Sequence, residues 1–130
     1  PPARAGAGFL WPIKGRILAS FRTGSDDTQS GGINIAAPKG APVLAAENGT
    51  VLYAGDLKGY GNLLLVRHAD GFVTAYAHLD KMLVAKNDRV TRGQRIATVG
   101  STGSVAAPQL HFEIRKDGEP VDPSRYLEPL

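Results

Sequence analysis

The sequence predicts an all-β domain of short antiparallel strands. Three observations predict it. Helix signals are scarce across the 130 residues. Glycine is frequent, at 16 residues, and is spread along the chain. Apolar residues alternate with polar ones over short runs bounded by turn residues, which is the pattern of half-buried strands.

The elements follow in order. Residues 1–8, Pro-Pro-Ala-Arg-Ala-Gly-Ala-Gly, read as a linker remnant, and the domain is set at 9–130. Trp11-Pro12-Ile13 leads into a first strand, Gly15 to Phe21. Residues 23–31 are polar and turn-rich, hence a loop. Gly32 to Ala36 is a short strand stopped before Pro38. Val43 to Ala46 and Gly49 to Ala54 flank Glu47-Asn48-Gly49, and Asn-Gly between apolar runs predicts a hairpin. Leu63 to His68 is a nearly continuous apolar run, typical of a central strand. Asp70-Gly71 turns it into Phe72 to His78, a second hairpin. Val84 to Arg89 reads as a short irregular segment, and Arg95 to Val99 as a strand ended by Gly100. Residues 101–108 form a flexible loop. From Leu110 to Lys116 the alternation is strict: Leu110, Phe112 and Ile114 face one way, Gln109, His111, Glu113 and Arg115 the other. Asp117-Gly118 turns that strand, and Val121 to Leu127 closes the domain with about one helical turn. Val43–Gly55 and Val90–Gly100 echo each other, which reads as two similar hairpins and not as a solenoid.

Composition narrows the function. The chain fits one domain that can bury a core without staples. It has no cysteine, which excludes disulfides, thiol nucleophiles and thiolate zinc sites. No run approaches the ~20 apolar residues of a membrane-spanning helix. The first eight residues lack the apolar core of a signal peptide, so the chain is expected to be a piece of a longer protein. Net charge is +3. The one basic concentration, Lys86, Arg89, Arg92 and Arg95, is diluted by Asp88. A phosphate-binding stripe is denser and interleaved with aromatics, so nucleic acid is not an expected partner.

Three histidines are present: His68, His78 and His111. No two lie at the i, i+2 or i, i+4 spacing that gathers ligands on one element. Catalytic zinc takes three protein ligands and leaves a position for water, so spacing alone supports such a site only weakly.

The ordered motifs are more telling. They are Trp11-Pro12…Gly15, Ser30-Gly31-Gly32-Ile33-Asn34-Ile35-Ala36-Ala37-Pro38, Tyr76-Ala77-His78-Leu79, Arg92-Gly93-Gln94-Arg95-Ile96, Gly100-Ser101-Thr102-Gly103 and Gln109-Leu110-His111-Phe112-Glu113. Together they resemble the LytM-type (lysostaphin-like) zinc endopeptidases over nearly the whole chain after residue 8. The resemblance implies antiparallel sheets of duplicated-hairpin type around a narrow central groove, with short loops and at most one or two helical turns. It also implies that His78 and His111 face each other across that groove. Active members carry H-x-x-x-D, a Tyr-Ala-His-Leu-like segment and H-x-H. The first His, the Asp and the last His bind zinc; the other two imidazoles act on the water and the transition state.

Carried over by position, Ser30 stands at the first zinc-binding His and Asn34 at the Asp. His111 keeps the third ligand position, His78 keeps one catalytic His, and Gln109 replaces the other. A serine hydroxyl is short and hard to deprotonate, and a carboxamide lacks the charge that offsets Zn²⁺. Without bound zinc a water keeps its pKa of about 15.7 instead of about 7. Glutamine forms hydrogen bonds but relays no proton. The resemblance therefore implies a degenerate, metal-free groove with no cofactor and no catalysis. Its candidate partner-binding residues are Ser30, Asn34, Tyr76, His78, Gln109, His111 and Arg22. Tyr76 reads equally as groove floor or cross-strand packing. His68 reads as structural. The rim is expected at residues 23–31, 56–61 and 101–108.

Degenerate domains of this kind resemble the non-catalytic amidase activators of EnvC, NlpD and DipM type. That resemblance implies an activator of periplasmic peptidoglycan hydrolases, the N-acetylmuramoyl-L-alanine amidases, in cell-wall remodelling and daughter-cell separation. It places the chain in the periplasm, at the division site of the bacterial envelope. The alternative is a non-catalytic module that binds peptidoglycan itself; a third reading is a residual zinc endopeptidase.

Overall fold

The computed structural model describes residues 1–22 and 31–130. Ten strands make one sheet: β1 (Ile17–Ala19), β2 (Ile33–Ala36), β3 (Pro42–Leu44), β4 (Gly49–Leu57), β5 (Gly61–Arg67), β6 (Phe72–Met82), β7 (Arg89–Val90), β8 (Arg95–Val99), β9 (Gln109–Lys116) and β10 (Glu119–Val121). The main order is β1-β2-β9-β6-β5-β4-β7, with β10 on β9 and β8 on both β3 and β6. Every pairing between these strands is antiparallel. Among the described residues the helical elements are two 3-10 turns, Ala69–Gly71 and Pro123–Arg125. The all-β antiparallel fold read from the sequence is the observed one.

Two of the three turn dipeptides behave as read. Asp70 and Gly71 take φ of 65° and 81°, and Asp117 and Gly118 take 51° and 86°. Positive φ at both central residues is what a tight hairpin turn demands. Asn48-Gly49 is the exception, and the hairpin expected there does not form. Neither residue has positive φ. Instead β4 pairs with β5 and β7, while β3 pairs with β8. Packing accounts for the glycine: a Cβ at Gly49 would lie 2.5 Å from the Arg67 carbonyl oxygen. Gly49 is there for close approach of β4 to β5, not for a turn.

The same pairings explain the internal echo. The two similar segments do not fold into separate hairpins. They pair crosswise, Val43 with Ala97 and Gly49 with Val90.

Alternation along the central strands sorts side chains onto two faces. Ile33, Ile35, Leu64, Val66, Tyr76, Leu110, Phe112 and Ile114 are buried in the main core with Phe9, Val43, Leu79 and Ile96. Leu63, Ala75 and Ala77 form a smaller cluster with Tyr53, Tyr60 and Leu65. Leu-, Ile- and Phe-sized side chains buried this way stabilise by about 1.5–3 kcal/mol each, so the large core carries the fold.

Candidate functional site

β9 lies between β2 and β6, and their registers align three residues. Asn34 pairs with His111, and His111 pairs with Ala77. Gln109 pairs with Ala36 on the same side. The period of two puts Asn34, Gln109, His111 and Glu113 on one face, opposite the core side chains Ile33, Ile35, Leu110 and Phe112.

His78 reaches that face by a different device. Along β6, Thr74 and Tyr76 point to the core, so unbroken alternation would send residue 78 there too. The pairing of β5 with β6 passes from Leu64↔Tyr76 to Asn62↔Leu79, one extra residue on β6. That bulge contains His78, whose φ is 64°. Leu79 returns to the core, and the imidazole turns toward β9. Bulges commonly re-aim a side chain in this way. The ring centroids of His78 and His111 lie 6.1 Å apart at 61°. The two imidazoles share one side of the sheet, as expected.

A directional chain of hydrogen bonds crosses the site. Gln109 Nε2 donates to the Ala107 carbonyl (3.1 Å), which leaves Gln109 Oε1 to face Asn34. Asn34 Nδ2 donates to that oxygen (2.8 Å). Asn34 Oδ1 therefore faces His111 Nδ1, 2.9 Å away. His111 Nε2 lies 2.8 Å from the Glu113 carboxylate oxygen Oε2. Both ring nitrogens of His111 thus point at oxygen acceptors. Arg115 closes the chain, donating to Glu113 Oε1 through Nε (2.9 Å) and Nη2 (2.7 Å).

Glu113 is 1% exposed. Burial pushes its carboxyl upward, but the hydrogen bonds and charges of His111 and Arg115 outweigh that and hold it below the ordinary range. The Tyr60 hydroxyl also donates to Glu113 Oε2 (3.4 Å). Burial, helped by the Glu113 charge, raises the Tyr60 phenol. His78 Nδ1 donates to the Thr102 carbonyl (2.8 Å). Burial lowers His78; the Thr102 bond opposes the shift and a charge on His111 adds to it.

These groups open into a cleft of about 320 Å³ lined by Gly31, Gly59, Tyr60, His78, Ser104, His111 and Glu113. Its rim is tied down. Ser104 donates from N and Oγ to the Gly59 carbonyl (3.1 and 3.0 Å), and Thr102 Oγ1 donates to the Leu79 carbonyl (2.8 Å). The loop read as flexible, 101–108, is pinned to the β4–β5 turn. A larger cavity of about 670 Å³, walled by Leu10, Trp11, Pro12 and Leu44 among others, lies away from the histidines.

Four of the predicted residues, Asn34, His78, Gln109 and His111, are brought together. Tyr76 is not among them, and its groove placement is corrected. It is fully buried in the main core against Phe112, with its hydroxyl accepting from the Ala46 amide (3.0 Å). It sits two residues before the bulge, where alternation still points inward. Arg22 is exposed, and Ser30 lies outside the described residues. Glu113 and Tyr60 are site residues that the sequence reading passed over. Glu113 was legible, since it shares the alternating face of Gln109 and His111; Tyr60 lies in a turn and carries no such signal.

The described donors do not fit a zinc ion. Asn34 offers a neutral carboxamide, and both His111 nitrogens are already taken up by the oxygens of Asn34 and Glu113. Among the described residues no cluster of three or more His, Cys, Asp or Glu side chains could hold a metal.

Known proteins are similar to this chain in sequence and in fold. The chain is 47% identical over 126 residues to "Cell division protein DipM" of Caulobacter vibrioides, covering 92% of this chain and 21% of that protein. It is 47% identical over 120 residues to "Murein hydrolase activator NlpD" of Escherichia coli, covering 92% and 31%. The chain thus spans well under half the length of either relative. The catalytic domain of the antimicrobial peptidase lysostaphin from Staphylococcus simulans superposes with a TM-score of 0.74 at 30% identity, covering 86% of this chain and 89% of that one. The model of Peptidase family M23 matches residues 28–123, and the chain belongs to that family.

Proposed function

We propose that this domain is a non-enzymatic activator of peptidoglycan hydrolases, chiefly N-acetylmuramoyl-L-alanine amidases, in cell-wall remodelling and daughter-cell separation. The observation that carries the reading is the state of His111. Its two nitrogens are engaged by Asn34 and Glu113, so the residue at the third zinc position serves a hydrogen-bonded lattice. With Ser30, Asn34 and Gln109 at the changed positions, the site has no means of making a hydroxide nucleophile at neutral pH. The relatives named as a murein hydrolase activator and a cell division protein support the same reading.

The domain acts by binding. The cleft beside Tyr60, His78 and Ser104 takes a peptide segment of the hydrolase. Binding the open form of an autoinhibited partner in preference to the closed form shifts its population, with no chemistry in this chain. The site of action is the bacterial envelope, at the division site.

The test adds the purified domain to an amidase acting on isolated sacculi. Turnover is expected to rise with domain concentration, with no muropeptide release by the domain alone. Unchanged turnover with strong retention on sacculi would favour a peptidoglycan-binding module. Cleavage by the domain alone, with stoichiometric zinc, would establish a peptidase.

A further inference from the structure

Residues 3–8 look like a linker in sequence, yet they lie along the domain. Their anchor is Glu47, whose carboxylate is 0% exposed. It accepts the Ala5 amide (2.7 Å), the Gly6 amide (3.0 Å), the Asn48 amide (2.7 Å) and Arg92 Nη1 (2.9 Å). A carboxylate taken out of water needs such a set of donors. Two of the four come from residues 5 and 6.

The partners continue along the segment. Asn48 Nδ2 donates to the Ala3 carbonyl (3.1 Å), and Arg92 Nη1 to the Gly8 carbonyl (2.8 Å). The Gly8 amide donates to Glu128 Oε1 (3.3 Å). Composition is an independent observation. A Cβ at Gly6 would come within 2.9 Å of Arg92 Nη1, and one at Gly8 within 2.8 Å of the Tyr126 carbonyl oxygen. Small residues at these positions permit close docking. In a flexible linker they would serve only to loosen the chain.

We infer that residues 3–8 are a docked strap, clasped by Glu47 and Arg92, and that the folded unit begins at residue 3. The strap joins four separate parts of the domain: the segment between β3 and β4, the β7–β8 turn, the C-terminal segment and, through Arg4 Nε to Asp70 Oδ2 (3.2 Å), the β5–β6 turn. Its release would leave the Glu47 carboxylate with half of its donors.

Amide hydrogen exchange on the 130-residue chain tests this directly. The Ala5 and Gly6 amides are expected to exchange at least about 100-fold slower than in an unstructured chain. Exchange within about fivefold of unstructured rates would overturn the strap. Glu47→Gln sets an NH₂ group against N–H donors. It is expected to cost both amides at least about tenfold in protection while β5 amides keep theirs. Gly8→Val serves where Glu47→Gln does not fold, and the same selective loss is expected. Full protection of Ala5 and Gly6 in a folded variant of either kind would overturn the clasp.

Discussion

His111 and Asn34 sit opposite each other on β9 and β2, with Nδ1 of the imidazole 2.9 Å from Oδ1 of the carboxamide. Asn34 also holds Gln109, so one side chain links two others across the strand pair. Asn34→Ala removes both bonds. The expected cost is about 1–2 kcal/mol of stability, read as a lower urea midpoint with an unchanged slope. A variant as stable as the parent would show that the lattice is not holding the strands.

Glu113 is the hub below the cleft. Glu113→Ala strands His111 and Arg115 without their shared acceptor. The Arg115 side chain is 38% exposed and can turn to water, so the expected loss is modest for an ion pair, about 2 kcal/mol by denaturant titration. Activation of a partner hydrolase should fall further than the lost folded fraction explains, because His111 loses its fixed orientation.

Tyr76 makes the opposite prediction. Its phenol is pushed up to about 12 by burial, and its hydroxyl satisfies the Ala46 amide inside the core. Tyr76→Phe leaves that N–H unpaired and should cost about 1–3 kcal/mol. Hydrolase activation at a temperature where the variant is folded should be unchanged. Loss of activation without loss of stability would return Tyr76 to the cleft.

Stability should fall in two steps on acidification. Burial lowers both His68 and His78 below their ordinary 6.5, outweighing their bonds to the Asn48 and Thr102 carbonyls. The unfolded chain therefore takes up the protons first. This contribution is complete above about pH 6.5 and is lost as pH falls toward the lower folded values. Glu113 is held below its ordinary 4.5. Its contribution is complete above that value and is lost as pH falls through the folded one. Urea midpoints near pH 7.5, 5.5 and 3.5 should decrease at each step. Equal midpoints at the first two would contradict the burial of both histidines as neutral rings.

Alternation was the most readable signal in this sequence. It placed Gln109, His111 and Glu113 on one face of β9, because a strand's period of two is fixed by its backbone. The two Asp-Gly turns were legible for a similar local reason. Strand partnership was not. Asn48-Gly49 has the composition of a turn, but its glycine answers to Arg67 on a neighbouring strand. Nor could the bulge at His78 be read, since it depends on how β5 and β9 grip β6 from either side. Of the two readings of Tyr76, cross-strand packing is the one observed: two residues from His78, it lies on the other face against Phe112.

The crosswise pairing of β3 with β8 and of β4 with β7 bears on how the chain folds. Val43 finds its partner only at Ala97, and β2 finds β9 later still. Neither repeat can close on itself, so half of the domain is not a folding unit. Loop closure over such separations must precede the contacts that reward it, which makes folding slow and all-or-none. A chain emerging from a ribosome can pair β4, β5 and β6 locally but cannot complete the sheet until β9 is free, with strand edges exposed to aggregation in the interval. Truncation before residue 116 should therefore yield no partly active remnant, only unfolded chain.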